Sequence, residues 1–155
     1  MMRLIQFLLA IMATQTFCHA DVTKLPAADQ KVLHDVSRFH EIHAATNLPP
    51  IIFAFCADGK GRLAGSGQKW EVTDVITDDK LPTKRLIWSV TDGDYYVVHY
   101  ESGGRGHGFH VLVAKLKDGK PSFVWHGVGE HLKDFRAFLD AVASNSLDDK
   151  LDYAH

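Results

Sequence analysis

Asp94-Tyr-Tyr-Val-Val-His-Tyr-Glu101, Ser102-Gly-Gly-Arg-Gly-His-Gly108 and Phe109-His-Val-Leu-Val-Ala-Lys-Leu-Lys117 follow one another without a break, and their reading decides the fold. The two flanks are rich in β-branched and aromatic residues, which suit a pleated, half-buried surface, so each reads as a strand. Four glycines between positions 103 and 108 leave the middle without side chains that would fold it back on the strands. The stretch is therefore a hairpin with a presented tip, read here as the seven residues 102–108. That tip offers Arg105, a permanent cation with a fork of donors, and His107, which donates or accepts near neutral pH.

Working outward, Asp92-Gly93 precedes the first strand and Asp118-Gly119 follows the second. Asp-Gly between two β-rich runs is a strong hairpin signal, because a type I′ turn needs positive φ at both central residues. Such turns set an expected register of Val90 opposite Tyr95, Trp88 opposite Val97 and Leu86 opposite His99. In the second hairpin they pair Ala114 with Phe123 and Leu112 with Trp125, which puts Phe123, Trp125, Leu112 and Leu116 on one core side. Residues 70–76 alternate, with Trp70, Val72 and Ile76 against Glu71 and Thr73, and read as a half-exposed strand.

Helical spacing appears at both ends. Over 27–45, Val32, Val36 and Phe39 form an apolar row, ended by Asn47-Leu-Pro-Pro50; from Glu130 onward, Leu132, Phe135, Phe138, Leu139 and Val142 form another. The unbroken apolar run 51–56 reads as a strand buried on both faces. Residues 144–155 are polar and aspartate-rich, and a loose tail is expected from about position 145. The expected architecture is α+β: a meander sheet of about five antiparallel strands packed with an N-terminal and a C-terminal helix.

Residues 1–20 read as a secretory signal peptide: Arg3, a short apolar run over 4–13, and the small-x-small ending Cys18-His19-Ala20. The run is shorter than the roughly 20 residues that span a bilayer, and Phe17 occupies the position where a lipidated cysteine is preceded by a small residue. The expected product is a single domain over 21–155, exported to the periplasm or beyond. Its 16 basic and 19 acidic residues give −3 with histidines neutral, which provides no electrostatic basis for nucleic acid or anionic lipid. Cys56 is left without a partner for a disulfide and sits among Ile51, Ile52, Phe53 and Phe55, so it reads as a small buried hydrophobe.

No Gly-x-Ser-x-Gly, His-Glu-x-x-His or Cys-x-x-Cys occurs, and His40-Glu-Ile-His43 lacks the i, i+4 zinc spacing. The glycines of 58–67 match neither a P-loop nor a dinucleotide fingerprint, so that stretch reads as a surface loop and no cofactor is expected. Four readings remain for the sheet's loop end. His99, His107, His110 and His126 gather there in a metal site; His107 and Glu101 act as an acid–base pair; the loop is purely structural; or the tip is a recognition element, with Glu101, Gly104, Arg105, Gly106, His107 and His110 as binding residues. A guanidinium matches a carboxylate bidentately, and glycosidase clefts carry paired carboxylates, so such a tip fits an acidic cleft.

The layout of Tyr95 to Trp125, together with Phe39-His-Glu-Ile-His-Ala-Ala-Thr-Asn-Leu-Pro49 ahead of the sheet, resembles the Ivy-type periplasmic lysozyme inhibitors. The resemblance implies a small exported protein with an N-terminal helix, a five-stranded antiparallel sheet, and a loop that inserts a histidine into a lysozyme active site. By position, His107 corresponds to that histidine. The family brackets its loop with two cysteines, whereas this chain carries none at those places.

Overall fold

The computed structural model describes residues 24–76, 78–104 and 106–149. Five antiparallel strands form one sheet in sequence order: β1 (His40–Glu41), β2 (Lys84–Thr91), β3 (Tyr95–Ser102), β4 (Gly108–Lys117) and β5 (Lys120–Gly129). Among the described residues three α-helices accompany it, α1 (Ala27–Leu33), α2 (Pro50–Cys56) and α3 (Phe135–Ala143). The α+β meander expected from the sequence is the fold observed. The sheet is covered on both faces. On the first, Val90, Tyr95, Val97, Val113 and Trp125 pack with Leu33 of α1 and Phe135, Phe138 and Val142 of α3. On the second, Leu86, Val98, Tyr100 and Leu112 pack with Ile52 and Cys56 of α2.

Both hairpins depart from the expected register, the first at its turn and the second at a bulge just beyond its turn. At the second, Asp118 and Gly119 both have positive φ, as a type I′ turn requires. The pairs Lys117↔Lys120 and Leu116↔Pro121 follow, and then a bulge shifts the ladder to Lys115↔Phe123 and Val113↔Trp125. One inserted residue exchanges the faces beyond it. Phe123 and Trp125 therefore lie with Val113 in the first core, while Leu112 and Leu116 belong to the second.

At the first turn only Gly93 has positive φ. Asp92 Oδ1 instead accepts from the backbone N–H of Asp94 and of Tyr95, and Thr91 Oγ1 donates to Tyr95 O at 2.7 Å. Pairing consequently starts at Thr91↔Tyr96, giving Val90↔Val97 and Trp88↔His99. This offset keeps Trp88, Val90, Tyr95, Val97 and His99 on one face. A bulge at Ile87 then sends Leu86 to the other face, opposite Tyr100.

The helix expected from Glu130 begins only at Phe135, because Asp134 caps it by accepting from Ala137 N, and three further segments adopt a different backbone from the one expected. The helix read over 27–45 ends at Leu33; a tight turn at Val36–Arg38 follows, and His40 and Glu41 pair with Thr91 and Val90 as an edge strand. The open hydrogen bonds of β2 outweigh the weak preference of a short segment for helix, and Val32, Val36 and Phe39 still reach the first core. Residues 51–56 form helix rather than strand. Pro50 is at the first helical position, where its missing N–H costs nothing, and Ile52 and Cys56 share the buried side one turn apart. The third is 70–76, which is a loop with its polarity inverted, described below.

The tail expected to be loose from about residue 145 is docked as far as Asp149. Asp148 exchanges backbone bonds with Val128, Leu147 is buried, and Asp149 accepts from Trp125 Nε1 at 2.8 Å. Among the described residues no helix is long and apolar enough to cross a membrane. Residues 1–20, read as a signal peptide, lie outside the described residues.

Candidate functional site

Ser102 pairs with Gly108 as the last rung between β3 and β4, so the tip is five residues, 103–107, rather than seven. At its base lies Glu101, a carboxylate that the sheet buries. Arg85 is its cross-strand partner on β2. The guanidinium places Nε at 2.7 Å and Nη2 at 2.6 Å from the same oxygen, Oε1, which leaves Oε2 for the His107 ring. His107 donates Nε2–H to Oε2 at 2.6 Å while its side chain stays 42% exposed. The ring also packs on Trp70, 5.6 Å between centroids, and on Phe109, 4.7 Å, and the Arg85 guanidinium lies 5.0 Å from the Trp70 ring. Glu101, Arg85, Trp70 and His107 thus form a closed circuit of contacts that fixes which way the imidazole faces.

The backbone of the tip is held by the neighbouring loop. Gly103 donates to Thr83 O at 2.9 Å, and a Cβ there would lie 2.3 Å from Glu71 O and 2.7 Å from Val72 Cα. Only glycine allows so close an approach. Glu71 is pulled inward to meet it: its N–H donates to Pro82 O and its Oε1 accepts from Asp78 N. Farther back, Asp58 ties the base of this loop by accepting from Thr83 N, from Lys60 and Arg62 N–H, and from the Arg62 guanidinium. Burial alone would raise the Asp58 pKa, but those donors outweigh it and hold the carboxyl below its usual range.

Of the residues singled out in the sequence, Glu101, Gly104, Gly106 and His107 come together at this end. Gly104 has φ of +108°, and nothing stands near Gly106. Arg105 lies outside the described residues. His110 is not part of the group: it belongs to the opposite sheet face, where its Nε2 meets Ser102 Oγ at 2.7 Å and its ring stacks on Tyr100 and His126. Tyr100 OH meets His126 Nε2 at 3.2 Å, and burial raises the phenol's pKa and lowers that of Lys84, whose ammonium lies over the Tyr100 ring.

His99 is a structural strut on the first face. Its Nε2 accepts from Leu132 N at 3.1 Å, so the proton is on Nδ1, which donates to His110 O at 2.8 Å. Burial pushes this imidazole down to about 4. The four histidines are therefore divided between two faces, and among the described residues no group of three or more potential ligands converges on one point.

Two members of the site escaped the sequence reading. Arg85 was hidden by the register, since the expected pairing set it opposite Tyr100; its charge, complementary to Glu101 at the mouth of one hairpin, was the available signal. Trp70 reads in the sequence as the first residue of a half-exposed strand. Comparison with protein-family models, curated proteins and solved structures gave no match.

Proposed function

We propose that this chain is an exported binding protein whose tip, residues 103–107, enters an acidic cleft of a protein partner, with the paired carboxylates of a lysozyme-type glycosidase as the target. The observation that carries the reading is the seating of Gly103 against the Glu71–Val72 backbone beside a Glu101 carboxylate shared by Arg85 and His107. A glycine-rich loop that is ordered only on binding gives up conformational entropy at that step. Here sheet, neighbouring loop and buried carboxylate order its base beforehand, doing what a bracketing disulfide would do. The charges also fit. Glu101 is neutralised from within by Arg85, while exposed Lys69 and, at the tip in sequence, Arg105 are cations offered to the partner. Residues 1–20 supply the argument for export.

Inhibition and binding assays against a panel of purified lysozymes test this reading. His107→Ala and Arg105→Ala should each weaken binding by about 1–3 kcal/mol, the range for a hydrogen bond to a charged group, with the melting temperature nearly unchanged in Arg105→Ala and lowered in His107→Ala, which takes a donor from buried Glu101. Binding that ignores both substitutions, or no binding at all, removes it. The 2.6 Å contact between His107 and Glu101 supports a second reading, a general base oriented by a carboxylate. Hydrolytic turnover by the chain alone, abolished in His107→Ala, would favour that reading instead.

A further inference from the structure

Residues 70–76 are inside out. Their alternation calls for Val72 and Ile76 to face the core and Glu71 to face water, yet Glu71 is 5% exposed while Val72, Val75 and Ile76 are 40%, 67% and 58% exposed. Among the described residues five large apolar side chains are exposed, and three of them are these. Glu71 is held inward by its bonds with Pro82 O and Asp78 N and by the seat of Gly103, and its apolar neighbours are left facing solvent. Local pattern and observed structure tend to conflict in this way at functional surfaces, and a contiguous exposed apolar patch is a mark of protein association.

We infer that Val72, Val75 and Ile76 form a ridge that docks on the apolar rim of the same partner whose acidic cleft receives the tip, so that ridge and tip are one interface. The inference rests on the proposed role of the tip. Three observations join the two parts. Gly103 is seated directly on the Glu71–Val72 backbone, and Gly104 N–H points at Val72 O, 3.4 Å away. His107 and Trp70 share a ring contact, so the imidazole and the start of the ridge are continuous. Trp70 and Arg85, which contact the His107–Glu101 pair, and Val72 of the ridge also line one open groove of about 520 Å³, together with Lys69 and Leu81.

Size supplies a further argument. A specific protein interface buries about 800 Å² on each side and uses some 20–30 residues, which a five-residue tip does not approach. The ridge is the apolar surface adjoining the tip, and a buried apolar patch with a charged rim is the ordinary anatomy of such an interface.

The experiment measures the affinity of the full mature chain for a purified lysozyme by calorimetry, comparing wild type, Val75→Ser/Ile76→Ser, His107→Ala and Val124→Ser. Val124 is also exposed and apolar but lies on β5, at the far edge of the sheet, and serves as the control. The expected result is at least tenfold weaker binding by the ridge double variant, with unchanged melting temperature, and no effect of Val124→Ser. Loss with His107→Ala but full affinity in the ridge variant overturns the ridge and leaves the tip standing. Loss in the ridge variant with full affinity in His107→Ala preserves the ridge as an interface and overturns the tip reading. A wild-type chain that binds no lysozyme overturns both.

Discussion

Glu101 and His99 sit two residues apart on β3, facing the same side, and the fold accommodates the two titratable groups differently. Glu101 meets a guanidinium and an imidazole; His99 is enclosed among Trp88, Phe109 and His131 and bonds only to backbone. Its pKa of about 4 in the folded chain, against the ordinary 6.5, links it to stability. The unfolded chain binds the proton at higher pH than the folded one. Stability from this group is therefore complete above pH 6.5 and declines as the pH falls from there toward 4. With about 1.4 kcal/mol per unit, the loss by pH 4 is about 3 kcal/mol. Asp58, whose folded carboxyl lies below its usual range, contributes in the same direction but at lower pH, as the carboxyl protonates. Urea unfolding followed from pH 7.5 to 4.5 should show the His99 decline, and His99→Gln should flatten it while lowering stability at neutral pH.

Among the elements, the loop that carries 70–83 and the β3–β4 tip hold each other, and the contact passes through one residue. Gly103→Ala is expected to force Glu71 and Val72 away from the tip, because the new Cβ would stand 2.3 Å from a carbonyl oxygen. Overpacking of this kind costs about 1–3 kcal/mol. The measurable signature is faster amide hydrogen exchange at Gly103, which donates to Thr83 O, and at Glu71, which donates to Pro82 O, with the protection of β4–β5 unaffected. Unchanged protection at both amides would show that the two loops are independent. The elements also account for the misread segments. A six-residue apolar run has no resolvable period, so 51–56 was decided by the proline ahead of it and by the uncovered second face of the sheet.

At the scale of the whole molecule, two cores back to back on one sheet explain how a fold with no disulfide among its described residues is held. Cys56 is buried in the second core, and burial pushes its thiol up to about 12, so it packs as an inert small hydrophobe. In the first core, Trp125→Ala and Phe135→Ala should each cost about 3–5 kcal/mol, read as lower urea midpoints. Trp125 should be the more costly, since it also donates to Asp149 and thereby fastens the 147–149 segment across β5. Equal midpoints for wild type and both variants would refute this placement of the core.

The hairpins, their order and the α+β class were legible in the sequence because they rest on local chemistry. Asp-Gly turns, β-branched strands and the stripe of α3 impose their geometry on near neighbours whatever lies elsewhere, and so did the glycine tip bearing His107 beside Glu101. What only the tertiary structure decided depends on distant partners. Bulges at Ile87 and beside Lys115 sorted the core residues between faces, since a shift of one residue flips every side chain beyond it. The free edge of β2 drew His40 and Glu41 out of a helix. Above all, the site was completed across the fold: Arg85 and Trp70 reach Glu101 and His107 from other segments, and Glu71 turns inward only because Gly103 and Pro82 are there to meet it, leaving its apolar neighbours outside. Such pairings lie many residues apart, where alternation and propensity carry no information about which group will stand opposite.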